Sequence, residues 1–487
     1  MSDSSAASMQ TTAGVSPLTQ RREQMEAITE KEMAKNVFNL AWPATLEAVL
    51  QTTIRMITSA LLGHIAGYSA MAVSAAGLAD RMTQLAWALF AAVGTGSTVM
   101  VARAIGAGDQ KQANHFATQA MLLGAMLIAV IATVLLAFPA QLIRLMYNRD
   151  GLMNPDLISM TIDYLRIVAW GVPLMAINQI VSALMRGAGN TKVTLVTNTT
   201  ANVVNAILGY MLIYGNFGAP EMGMTGAGIA LVISQGVGAV FAIVIFFKIQ
   251  NNLFVTFKRF RMQWQHIKDV FAIGIPHASE MLLLQFGQIT LAGLIGSMGA
   301  TELAAHTQGI TAESISYMPA MGFSIAATTL VGMSVGIGSV KLSKRYVKVL
   351  VKWDMLITAI TASFLIFTPR QVFSLLSNDG DVIALGAIYL IMMGFCQFPQ
   401  QLTGVFAGAL RGGGDAKTTL INSLIGLWGV RVPLSFLFTR VFHWGIIGVW
   451  TAMSIDLVVR FILSLTRYLG GKWMSTAQKI AAEETTA

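Results

Sequence analysis

The second half of this 487-residue chain repeats the first, motif for motif, inside a sequence apolar enough for lipid. Pro43-Ala44-Thr45-Leu46-Glu47 opens one half, and Pro276-His277-Ala278-Ser279-Glu280 opens the other. Gly106-Ala107-Gly108-Asp109 is answered by Gly336-Ile337-Gly338-Ser339. Arg186-Gly187-Ala188-Gly189-Asn190-Thr191-Lys192 recurs as Arg411-Gly412-Gly413-Gly414-Asp415-Ala416-Lys417. The matches keep one order and a nearly constant offset. A duplicated membrane bundle is a usual frame for a secondary transporter, with the ligand site where the halves meet.

Composition supports burial in lipid. Charged residues make up 11% of the chain, hydrophobic residues 55%, and mean hydropathy is +0.64. A soluble domain carries roughly 25% charged residues. Reading apolar runs of about 20 residues as spans predicts an all-α membrane protein of about twelve helices in two six-helix lobes. The N-lobe covers 36–250, with spans near 36–63, 70–103, 116–139, 157–185, 192–215 and 225–248. The C-lobe covers 268–470, with spans near 268–297, 302–337, 346–368, 382–410, 417–438 and 445–468. A polar N-terminal tail (1–35, helical from about Pro17), a basic linker (251–267) and a C-terminal tail (471–487) complete the chain. An even number of spans per half makes the repeats parallel, related by a pseudo-twofold along the membrane normal.

Loop charges set the orientation. Arg103, Lys111, Arg186, Lys192, Lys258, Arg259, Arg261, Lys341, Lys344, Arg345, Arg411 and Lys417 fall on one side, together with both tails. The opposite side holds Arg144, Arg149, Arg370 and Arg440. Basic loops stay in the cytoplasm, which places both termini there, in a bacterial inner membrane. The net charge of +9 is then topology, and no nucleic-acid partner is expected. No short apolar leader with a cleavage site is visible in the first 35 residues. The single cysteine, Cys396, excludes an internal disulfide.

The repeated Arg-Gly-x-Gly-x-x-Lys lacks the Gly-Lys-Ser/Thr ending of a nucleotide loop. It reads instead as a tight interhelical turn whose basic pair anchors the basic face. No ATPase signature, metal cluster or nucleophile elbow occurs, so an enzyme is not expected, and no cofactor beyond a coupling proton or sodium ion.

With these motifs in order, the chain resembles the MATE (multidrug and toxic compound extrusion) family, in its NorM- and DinF-like branches. Supporting stretches are Ala102-Arg103-Ala104-Ile105-Gly106-Ala107-Gly108-Asp109, Leu184-Met185-Arg186-Gly187-Ala188-Gly189 and Ala326-Ala327-Thr328-Thr329-Leu330-Val331-Gly332. Asn205-Ala206-Ile207-Leu208 and Gly223-Met224-Thr225-Gly226-Ala227 are similar to the family's fifth and sixth helices. The resemblance covers about residues 36–470 and implies sodium- or proton-driven export of organic cations. It departs at the family's cation ligands: aspartates of the first and fifth helices are replaced by Thr58 and Gly209. Acids of the seventh and tenth helices are replaced by Leu284 and Gln400.

Ionisable residues inside spans are costly and invite a functional reading. Glu47, some 15 Å into its helix, is followed on nearly the same face by Arg55; a structural pair and a transport role are both open. Asp163 with Arg166 and Asp456 with Arg460 have the spacing of local pairs. Glu280, the counterpart of Glu47, has no basic residue following it, and Glu313 lies in the next helix. Desolvation and mutual repulsion would let these two hold a proton, which leaves the second lobe acidic unless Arg431 neutralises one of them. Gln51, Asn205, Gln285, Gln288 and Gln400 are candidate cavity-lining groups, as is Arg431. Pro43, Pro173, Pro276, Pro319, Pro399 and Pro433 can bend their helices.

The resulting expectation is a monomeric multidrug exporter exchanging small-molecule organic cations for protons, in contact with membrane lipids. Glu280 and Glu313 are its coupling acids, with Glu47 and Arg55 as further candidates. The alternative is a flippase for lipid-linked sugars on the related superfamily fold, with Arg55 and Arg431 as phosphate-binding cations. A passive channel is a further rival.

Overall fold

The computed structural model describes residues 16–480 apart from 66, 148–153, 249–262, 378 and 476. All regular structure among the described residues is helical. Nine helices are long and apolar enough to cross a membrane, and the pair α6 (Pro155–Ala169) and α7 (Gly171–Gly187), bent by 49°, adds a tenth span. Two more have the length but not the hydropathy: α2 (Glu30–Gly63) and α8 (Thr191–Tyr214). Together they make the expected twelve-helix, two-lobe layout. The two polar spans are neighbours, and their polar residues face each other inside the N-lobe.

The N-lobe is α2, α3 (Ser69–Ala107), α4 (Gln110–Ala137), the short α5 (Pro139–Tyr147), α6–α7, α8 and α9 (Gly223–Lys248). The C-lobe is α10 (Trp264–Gly296), α11 (Ala300–Gly336), α12 (Val340–Phe367), the short α13 (Pro369–Ser374), α14 (Gly380–Gly412), an eleventh span of α15 (Ala416–Leu424) and α16 (Val432–Phe436), and α17 (Gly445–Leu469). Most of the expected linker lies outside the described residues, and α10 begins within its last few positions, at Trp264. The N-terminal segment is less of a free tail than expected. A helix α1 (Pro17–Glu26), N-capped by Ser16, precedes α2, which starts at Glu30 behind a Thr29–Glu32 capping box. Trp473, in the expected C-terminal tail, is buried against Gly413.

The repeated glycine motifs are helix stops. Gly108 and Gly338 close α3 and α11 at φ +79° and +67°, which only glycine adopts without strain. The next residue starts a helix: Asp109 caps α4 and Ser339 caps α12 through their side-chain oxygens. The six span prolines act differently. Pro43, Pro276, Pro319 and Pro399 lie within continuous helices. Pro173 follows the α6–α7 bend, and Pro433 sits between two π-helical turns, Ile425–Arg431 and Leu437–Val441.

The lobes meet through α3 and α11, much of whose length is buried. α3 packs on α10 of the other lobe, and α11 on α2. At the end that carries the loop arginines and lysines, hereafter the basic end, the backbones touch. A Cβ on Gly336 would stand 2.0 Å from the carbonyl oxygen of Arg103, and one on Gly106 2.1 Å from that of Met333. A Cβ on Gly274 would stand 1.9 Å from the carbonyl of Ala92, and one on Gly322 2.4 Å from that of Ala41. Among the described residues, the hydrogen bond and close glycine contact between α2 and α11 lie at Thr45, Pro319 and Gly322. Their shared apolar core lies from there to the basic end. Beyond that level α2 exposes Arg55, Met56 and Ile57. The lobes are thus closed at the basic end.

α1 crosses this closed end. Arg21 donates to the carbonyl of Ile105 at the end of α3 (3.0 Å), and Arg22 to that of Ile337 just past α11 (2.8 Å). Each guanidinium meets the partial negative charge of a helix C-terminus, one in each lobe. Glu26 completes the strap by accepting from Ser339 Oγ and pairing with Lys341.

Candidate functional site

Two buried glutamates sit in equivalent cradles, one per lobe. Glu47 accepts hydrogen bonds from Asn198 Nδ2 (2.6 Å), Thr194 Oγ1 (2.9 Å) and Gln51 Nε2 (3.4 Å), and pairs with Arg186 at 3.9 Å. Glu280 accepts from Ser423 Oγ (2.7 Å) and Thr419 Oγ1 (3.2 Å), and pairs with Arg411 and His277, each at 3.5 Å. Arg186 and Arg411, Thr194 and Thr419, and Asn198 and Ser423 are all related by the repeat offset. The first helix of each lobe supplies the acid, the Arg-Gly turn the base, and the fifth helix the hydroxyls and amide.

This geometry revises several expectations. The arginine of each Arg-Gly turn points inward to a carboxylate, and only Lys192 and Lys417 stay exposed. Close packing explains why glycine follows: a Cβ at Gly187 or Gly412 would lie 2.7 Å from the carbonyl of Thr98 or Thr328. Glu47 is held by Arg186 rather than by Arg55, which is exposed and donates to Thr52 Oγ1 at 3.0 Å. Two turns of helix separate residues 47 and 55 by about 12 Å. Glu280 also has a base, reached across the fold from position 411 rather than along its own helix. Glu280 therefore does not leave the second lobe acidic.

Glu313, only 2% exposed, belongs to a different network. It accepts from Tyr389 Oη (2.5 Å) and Gln397 Nε2 (3.1 Å), both on α14. Gln397 also donates to Gln400 Oε1, and Gln401 donates to Gln397 Oε1 and to the carbonyl of Ser316. Tyr389 in turn packs edge-on against His306 and Trp450. Glu280 and Glu313 share no partner. Arg431 contacts neither: its Nη2 lies 2.7 Å from Asp456 Oδ2, which Arg460 also grips in a two-pronged bond. The spacing of Asp456 and Arg460 had marked that pair, and likewise Asp163 with Arg166.

The remaining candidates divide by surroundings. Gln285 donates across the lobes to Gln84 Oε1 on α3 (2.9 Å), while Gln288 is exposed. Asn205 donates to Thr58 at 3.5 Å, and Gly209 leaves room for Leu61. Thr58 and Gly209, where the resemblance leads one to expect aspartates, thus meet only neutral groups, Asn205 and Leu61. Leu284 packs on the apolar core of the C-lobe. Sequence reading missed Asp354 in α12, which is 1% exposed, and Gln397; each lies in an apolar run with no counterpart motif to draw notice.

A two-lobed, parallel-repeat helical bundle with buried acids near the lobe interface defines a membrane transporter of the secondary type. Comparison with known proteins specifies the family. The MatE family model matches residues 43–211 and 276–437. A probable multidrug resistance protein NorM from Thermotoga maritima is 32% identical over 92% of this chain and 94% of its own. A multidrug resistance MATE family transporter of the MOP superfamily, solved in an outward-facing conformation, superposes with a TM-score of 0.82 at 19% identity, covering 95% of this chain and 98% of that one. A Pyrococcus furiosus MOP superfamily transporter, for which reverse polarity of the binding pocket suggests a different function, gives 0.81 at 20% identity over 94% and 98%. The chain belongs to the MatE family, whose members are transporters and not enzymes.

Proposed function

We propose that this chain is a secondary active multidrug exporter. It exchanges small organic cations for protons by alternating access, as a monomer in the bacterial inner membrane with both termini cytoplasmic. The names of the NorM relatives and of PmpM from Pseudomonas aeruginosa, a multidrug resistance protein, support the substrate class. With the basic end cytoplasmic, the closed basic end makes this the outward-facing state.

The observation that carries the coupling is the contrast among buried acids. Glu47, Glu280 and Asp456 each meet an arginine, whereas the contacts of Glu313 are the neutral donors Tyr389 and Gln397. A carboxylate without a contacting cation is costly in lipid and is readily relieved by a proton. Glu313 therefore replaces Glu280 as the main coupling acid, and Glu47 and Glu280 become braces of their lobes. Protonation of Glu313 removes the charge that holds a cationic ligand and shifts the balance of states, which is what drives export.

Efflux of a fluorescent organic cation from proteoliposomes tests this reading. Movement under an imposed pH gradient without sodium is the expected result; movement with sodium alone would change the ion. Failure with both, alongside transfer of a labelled lipid-linked sugar, would establish the flippase. That alternative has lost Arg431 to Asp456 and retains Arg55.

A further inference from the structure

Asp354 is the buried acid that neither lobe's cradle explains. It lies 14 residues into α12, about 21 Å along the helix, and is 1% exposed. Its Oδ2 has no hydrogen-bond partner. The repeat does not require it: at the offset relating Gly108 to Gly338, the N-lobe has Gly124, packed against Ile180.

Its surroundings are apolar or neutral. Gly394 of α14 lies against Ala362 and Ile366 of α12, and Val351 shares an apolar cluster with Phe406. In this antiparallel register α14 runs beside the stretch of α12 that carries Asp354. While the acid is ionised its Oδ2 is a buried acceptor without a donor, and a proton on Asp354 removes that charge. The charged groups on the packed elements are occupied or turned away. Glu313 of α11 is bound to Tyr389, and Arg411 of α14 to Glu280. On α12 itself Lys352 reaches out to Glu30, Lys348 is exposed and Arg345 donates to the carbonyls of Glu26 and Ile28; on α2 Lys35 is exposed.

An element of the other lobe packs along this stretch of α12. Met33, Val37, Leu40 and Ala41 of α2 share a core with Tyr346, Val349 and Leu350 of α12. Phe38 packs edge-on against Trp353, the residue beside Asp354, at 4.7 Å. Asn36 donates to Tyr346 Oη at 3.1 Å.

We propose that Asp354 is a proton-binding site of the C-lobe, loaded while the basic end is closed and emptied to that side when α2 parts from α12. Parting admits water, which solvates the carboxylate, and the proton leaves to the solvent at the basic end. The closed state then binds one more proton than the open one, so acidification must favour closure.

The test reads conformation rather than transport, so it stands whether or not the exporter reading holds. Spin labels replace the exposed Lys111 and Lys344, one in each lobe at the basic end, in a chain carrying Cys396→Ala. Distances are measured across a pH series in the native background and in Asp354→Asn, whose amide imitates the neutral acid. The ratio of closed to open is expected to rise by up to tenfold per pH unit of acidification where the site titrates. In Asp354→Asn the closed distance should persist with that response lost. Equal pH slopes in both proteins would overturn the proposal. Should the variant not fold, infrared spectra of native protein with isotope-labelled aspartate decide: a protonated aspartate carbonyl band that fades as the basic end opens supports it, and its absence at neutral pH overturns it.

Discussion

At the scale of single residues, the decisive distinction is between acids that meet a base and acids that do not. Glu280 and Arg411 are each almost wholly enclosed, 11% and 13% exposed at the side chain. Removing one partner of such a pair strands the other charge, at a cost of about 3–5 kcal/mol, whereas replacing both is far milder. Arg411→Gln should therefore lower the melting temperature more than the double variant Glu280→Gln/Arg411→Gln; losses that simply add would deny the pairing. Arg186→Gln and Glu47→Gln should repeat the pattern in the N-lobe, muted by the longer 3.9 Å separation. These pairs were half legible in the sequence. The repeat put Glu47 and Glu280 in register, and Arg186 and Arg411 as well, but nothing along one helix shows that the fourth helix returns its last turn to the first. Local pairs such as Asp456 and Arg460 were readable because helical spacing alone creates them.

At the scale of elements, α1 and the glycine stops govern one end of the molecule. Arg21 and Arg22 each cap a helix from a different lobe, an interaction of about 0.3–1 kcal/mol apiece. Together they bias the closed state by up to about thirtyfold. Arg21→Ala/Arg22→Ala should lengthen the distance between labels at positions 111 and 344 in a larger share of molecules; an unchanged distribution would show that α1 merely rests on the surface. Most spans were legible as apolar runs, and the glycine stops as a repeated motif. Hydropathy is weakest for α2 and α8, because residues such as Glu47, Gln51, Thr194, Asn198 and Asn205 face each other instead of lipid. The strap was not legible at all, since an arginine bonded to a helix end looks like any charge in a polar leader.

At the scale of the whole molecule, the duplicated lobes close on one another through glycine contacts at the basic end, and among the buried acids of the described residues Glu313 and Asp354 meet no arginine. The duplication, the lobe order and the parallel symmetry followed from the sequence. The location of the uncompensated acid did not, because it depends on which arginine reaches which carboxylate across the bundle. Coupling at Glu313 is the central claim. Its most direct test is simultaneous recording of dye efflux and proton uptake in proteoliposomes containing the native chain or Glu313→Gln. The native protein should move protons inward against the outgoing cation. Glu313→Gln, which keeps the shape of the protonated acid and its bonds to Tyr389 and Gln397, should lose proton uptake and gradient-driven efflux at least tenfold. Proton-coupled efflux at the native rate in Glu313→Gln would contradict the account.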